Sequence, residues 1–109
     1  MAYDTQLEAR IDLLSLNWPG LAKKAMFGGK GYLMRGNMAF GIWHDHLVVR
    51  CGPLRHAEYL TQAHVAEFDI TGKPMTGWLM VRPEGIDSDD ALLPWLEIGR
   101  DFAASLPSK

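Results

Sequence analysis

Residues 24–51, KAMFGGKGYLMRGNMAFGIWHDHLVVRC, decide how this chain folds. The stretch reads as three short strands joined by two tight turns. Gly36-Asn37 separates GYLMR from MAFGIW, and both residues tolerate the positive φ that a two-residue hairpin needs. Asp45-His46 separates the second run from LVVRC and predicts a second turn, with His46 where a glycine would be usual. Between the turns the side chains alternate. Met38, Phe40 and Ile42 point one way and Ala39, Gly41 and Trp43 the other, while Leu47, Val49 and Cys51 share a face. Gly28, Gly29 and Gly31 weaken a regular strand and predict a bulge or sharp bend.

Working outward, the chain opens with a helix. Thr5 and Glu8 have the spacing of a capping box, and Leu7, Ile11 and Leu14 follow as an apolar stripe. Asn17-Trp18-Pro19-Gly20 ends it, and Lys23-Lys24 leads into the sheet. Beyond Cys51, Gly52-Pro53 turns the chain into a short helix with Pro53 at its first position, running to Thr61. Val65 and Phe68 are candidate core plugs in a segment without clear periodicity. Residues 71–77, TGKPMTG, read as a loop, and Trp78–Arg82 as a strand whose apolar run predicts burial on both faces or a partner on the second. A last helix starts near Asp89 or Asp90, with Asp90 as N-cap so that Pro94 falls in its first turn. Leu92, Trp95, Gly99, Phe102 and Leu106 form its stripe.

The order is therefore helix, three strands, short helix, strand, helix. It predicts an α+β fold, a two-layer antiparallel sheet with helices packed on one face. Met38, Phe40, Ile42, Leu47 and Val49 are expected beneath Leu7, Ile11, Trp95 and Phe102. At 109 residues, 48% of them hydrophobic and 22% charged, the chain is expected to form one globular domain, residues 1–109. Eleven Lys and Arg against 13 Asp and Glu give a net charge of −2, which carries no electrostatic footprint for nucleic acid. The one cysteine, Cys51, fits a reducing cytosol, so a cytoplasmic location is expected. The first ten residues lack the apolar core of a signal peptide, and no apolar run approaches the roughly 18 residues of a membrane span.

Each chemical signal has a plainer reading beside it. His44 and His46 would supply two metal ligands where structural zinc takes four and catalytic zinc three, so a solvated turn is the better reading. The glycines at 28, 29 and 31 lack the following helix of a phosphate-binding loop. Cys51 alternates with Leu47 and Val49 and reads as a small buried hydrophobe. Arg50, Arg55, Lys73 and Arg82 either gather into a site for an anion or an acidic partner or, the better reading, disperse over the surface in salt bridges. Trp43, opposite Phe40 and Ile42 in the alternation, is the best candidate for an exposed aromatic contact. Trp43, Arg50, Arg55 and Lys73 together make the candidate interaction surface. No catalytic, cofactor or metal residue is assigned.

Three segments carry a family resemblance. MFGGKGYLMRGNMAFGI at residues 26–42 resembles the opening of the TfoX (Sxy) N-terminal domain. FDITGKPMTGW at 68–78 and LLPWLE at 92–97 are similar to later segments of it, and SLPSK at 105–109 to the end of its short stand-alone members. The resemblance implies a two-layer α+β domain similar to the secretion-chaperone-like fold. It also implies a bacterial regulator without catalytic activity. The namesakes govern natural competence together with a cyclic-AMP receptor protein at promoters, and they carry a second, C-terminal domain. The expected function is thus a non-enzymatic regulatory or protein-interaction domain, with a protein partner, no direct nucleic-acid contact, no membrane and a possible homodimer. The alternative is a small-molecule or metal-binding domain, possibly a degenerate enzyme, which convergent polar groups in a pocket would favour.

Overall fold

The structure is a computed structural model that describes residues 3–69 and 72–109. Helix α1 (Thr5–Leu14) leads into four consecutive antiparallel strands, β1 (Leu21–Met26), β2 (Gly29–Met34), β3 (Asn37–Trp43) and β4 (His46–Arg50). Then come α2 (His56–Leu60), β5 (Val65–Glu67), β6 (Trp78–Val81), a short turn of 3-10 helix and α3 (Asp89–Ala104). The six strands form one sheet in the order β1-β2-β3-β4-β6-β5, and every neighbouring pair is antiparallel. The helices lie on one face, so the fold is the expected two-layer α+β arrangement.

The core between the layers holds Phe40, Ile42, Leu47, Val49, Leu79 and Val81 from the sheet against Leu7, Ile11, Leu92, Trp95 and Leu96. α3 comes closest to the sheet at Gly99, where a Cβ would collide with the backbone carbonyl of Ala39. Only a residue without a side chain lets the helix sit that near β3.

Several local expectations are corrected. The first hairpin turns on Arg35 (φ 52°) and Gly36 (φ 87°), one residue earlier than Gly36-Asn37. Asn37 instead starts β3, and its buried side-chain Nδ2 donates to Pro107 O at 2.8 Å. The second turn likewise falls on His44 (φ 56°) and Asp45, leaving His46 to open β4. A fourth strand, β1, precedes the three expected ones, and the bend at the glycines is the β1–β2 turn at Phe27 (φ 38°) and Gly28 (φ 77°). Helix α1 is capped by Asp4, whose Oδ1 accepts from Gln6 and Leu7 N–H at 2.9 and 3.1 Å. Glu8 cannot complete a capping box with Thr5, because its carboxylate accepts from Lys23 Nζ at 2.7 Å and from the Tyr3 hydroxyl at 2.8 Å.

Two core assignments also change. The β2–β3 register slips between Tyr32↔Phe40 and Leu33↔Met38, leaving Ala39 as a bulge residue. Past the bulge the alternation inverts, so Met38 joins the opposite face and Ala39 enters the core with Phe40. Phe102 is half-buried and lies against Gly52 and Arg50 at the rim of the core. Pro53 precedes α2, which begins at His56. The α3 N-cap is Ser88 (Oγ accepting from Ala91 N at 3.2 Å), which makes Pro94 the sixth helical residue. Thr71, expected in a loop, lies outside the described residues.

Candidate interaction face

The face of the sheet turned away from the helices carries a second, thinner cluster. Val48, Phe68 and Met80 are buried there, and Met38, Trp43 and Trp78 are half-buried around them. Val48 and Met80 pair across β4 and β6, and Gly41 and Gly31 continue the row across β3 and β2. The two glycines leave a trough. A Cβ on Gly31 would strike the Met26 side chain. One on Gly41 would lie 2.6 Å from Lys30 O, 2.9 Å from Met38 Cε and 3.2 Å from Phe27 Cζ. Met26, Phe27 and Met38 therefore fold over the sheet where its own side chains are missing. Phe27 meets Phe68 edge-on at 6.1 Å, and Phe68 in turn lies 6.1 Å from Trp78. This explains the apolar run of β6: Leu79 and Val81 serve the main core, and Trp78 and Met80 the outer face.

The expected surface residues separate into two groups. Trp43 lies at one end of this face, with His44 and His46 edge-on to its ring at 4.2 and 6.0 Å. Arg50 lies at the other end of β4, roughly 13 Å away along a strand of this length. There its guanidinium stands between the Trp78 and Phe102 rings, 5.1 and 5.5 Å from their centroids. Arg55 follows on the same end, paired with Glu58 at 2.8 Å and held over the Tyr59 ring at 4.9 Å. The loop bearing the exposed Lys73 is tied to that end through Gly77 O, which accepts from Cys51 N and Gly52 N at 2.8 and 3.1 Å. Arg82 is exposed and lies just past β6, at its far end.

The remaining chemical candidates are dispersed. His44 occupies a turn and not a strand, and His46 Nδ1 faces Asp45 Oδ1 at 2.8 Å. Among the described residues no three His, Cys, Asp or Glu side chains are grouped to hold a metal. Cys51 is buried, its Sγ donates to Gly52 O at 3.3 Å, and burial pushes its thiol pKa up, away from the reactive thiolate. The buried His56 has its Nε2 3.5 Å from Glu67 Oε1 and no hydrogen-bond partner among the described residues. An open hollow of about 430 Å³ is lined by Cys51, Pro53, Leu54 and Phe102, with Arg55 its one charged group. It has the apolar walls of a ligand site without its convergent polar groups.

A cluster that the sequence did not reveal sits between α1 and the sheet. Lys23 Nζ donates to both Glu8 and Asp12, at 2.7 and 2.8 Å, and the Tyr32 hydroxyl donates to Asp12 at 2.8 Å. The bond from Lys23 holds the Glu8 carboxyl below its usual range, helped by Tyr3. Burial, followed by the Asp12 carboxylate, drives the Tyr32 hydroxyl far upward. The ties run from α1 to β1 and β2, and the missing signal was β1 itself.

No helix among the described residues is long and apolar enough to cross a membrane. Comparison with curated proteins gave no match, and comparison with solved structures gave none. The sequence profile of the TfoX N-terminal domain matches residues 12–103, from the second half of α1 to the end of α3. A match over that much of the chain, on a sheet and helices of this arrangement, places the protein in the TfoX N-terminal domain family.

Proposed function

We propose that this domain is a non-enzymatic regulator of bacterial transcription, acting in the cytoplasm by docking a protein on the outer face of its sheet. One observation carries the reading: Phe27, Met38, Trp43 and Trp78 stand half-exposed on a face that no described helix covers. Methionine and aromatic side chains are the residue types that enrich protein interfaces, because they bring large apolar area with adaptable packing. Membership of the TfoX N-terminal domain family supports a regulatory role, and competence control is the form of it that the family's namesakes suggest. The acidic balance of the chain favours a protein partner over the phosphate backbone.

Photo-crosslinking tests this. A benzophenone amino acid at Trp43 is expected to trap one discrete partner in host cells, whereas the same group at Ala57, exposed on α2, traps none. Equal labelling from both positions, or none from either, overturns the reading.

A further inference from the structure

The two edges of the sheet are unlike. β5 has three residues and packs beside α2, whereas β1 has six, four of them exposed. No described strand pairs with the outer side of β1, so it presents an open row of backbone N–H and C=O groups, a template for another strand. Beside it, between the end of α1 and β1, lies an open hollow of about 300 Å³ lined by Leu16, Trp18, Leu21 and Tyr32 together with the mutually paired Asp12 and Lys23. Leu13 and Leu16, at the last turn of α1 and just beyond, are 74% and 72% exposed. An edge strand flanked by a helix end and a partly apolar hollow is the arrangement by which extended peptides are bound through strand addition.

The charges choose the occupant. Lys23 faces the helices and is neutralised by Glu8 and Asp12. Lys24 faces the other way, beside Gly31, and has no ion-pair partner among the described residues. A second copy added antiparallel at β1 would set Lys23 against Lys23 or Lys24 against Lys24 in its two central registers, and like charges directly opposite destabilise a strand pair. We infer that β1 is a docking edge for an extended segment of another protein. That segment carries an apolar side chain toward the hollow and an acidic one toward Lys24. Strand residues alternate between faces, so the apolar and acidic positions lie an odd number of positions apart, adjacent residues being the simplest case. The edge adjoins the outer face at Lys24 but is a separate contact from the one around Trp43 and Trp78, and either can fail without the other.

The probe is a synthetic peptide of alternating leucine and glutamate, titrated into the whole chain and followed by amide NMR. It is expected to shift the Leu21–Met26 amides and slow their hydrogen exchange. A leucine–lysine peptide should bind several-fold more weakly, and Lys24→Glu should reverse that preference. The inference is overturned by an absence of shifts at millimolar peptide, by shifts centred elsewhere, or by equal binding of a proline-interrupted version. Concentration-dependent shifts of β1 without peptide would identify a second copy as the occupant and overturn it equally.

Discussion

Gly31 and Gly41 face each other directly across β2 and β3, and side chains from outside the pair occupy the space above them. The obstacles differ. At Gly31 the colliding group is the flexible Met26 side chain, whereas at Gly41 it is the fixed carbonyl of Lys30. Gly41→Ala is therefore expected to cost about 1–3 kcal/mol, the range for overpacking a filled site. Gly31→Ala, where the methionine can swing aside, should cost less than about 1 kcal/mol on the same scale. Urea denaturation of both variants checks the order, and equal losses would mean that the trough yields as a whole.

Phe40 and Phe102 provide a second contrast. Phe40 is fully buried beneath the helices, so Phe40→Ala should cost about 3–5 kcal/mol. Phe102 is half-buried at the rim, and Phe102→Ala should cost less than about 3 kcal/mol because part of its area is already wet. Matched denaturation curves decide.

The α1–sheet ion cluster has a defined pH signature. The Glu8 pKa is lowered, so its contribution is present above the ordinary carboxylate range and lost as pH falls through the depressed value. The Lys23 pKa is raised, chiefly by Asp12 and then Glu8, so its contribution is present below the ordinary lysine value and lost as pH rises past it. Both act in full across the neutral range. Lys23→Met should lower stability there by about 1 kcal/mol or less, as partly exposed pairs do, and should flatten the acid limb of the curve. An unchanged acid limb would show that the bonds from Lys23 do not hold the Glu8 carboxylate.

Much of this architecture was legible in the sequence. The alternation through Phe40, Ile42, Leu47 and Val49 located the core strands, and Leu7, Ile11 and Trp95 the helices above them. Met38 was misplaced because a single bulge residue, Ala39, inverts every side chain beyond it, and an alanine, unlike a glycine, does not announce a bulge. β1 was missed because LAKKAM is an edge strand with little to bury, so it lacks both alternation and a continuous apolar run. The hairpin turns were placed one residue late because Asn37 suits a turn, yet its amide is used to hold Pro107. Trp43 was legible as an outward aromatic, whereas the cover supplied by Phe27 and Phe68 depends on long-range folding of two loops.

The charge distribution leads to a prediction about DNA. Acids outnumber bases 13 to 11, and four of the cations are held in ion pairs: Lys23 with Glu8 and Asp12, Arg10 with Asp89, Arg55 with Glu58 and Arg100 with Asp101. Non-specific duplex binding should be weaker than about 10⁻⁴ M at physiological salt. Fluorescence anisotropy at two salt concentrations measures it. Micromolar binding that falls steeply with salt would expose a basic face and a different mode of regulation.

The central claim is that the outer face regulates transcription through a protein contact, and host transcript levels test it most directly. Trp43→Asp places a charge on that face without touching the main core, and its melting curve establishes that the variant is folded. Raising the wild-type protein in its host is predicted to change a defined set of transcripts, and raising folded Trp43→Asp to the same level is predicted to leave them unchanged. Identical responses to the two proteins, or no response to the wild type, would contradict the account.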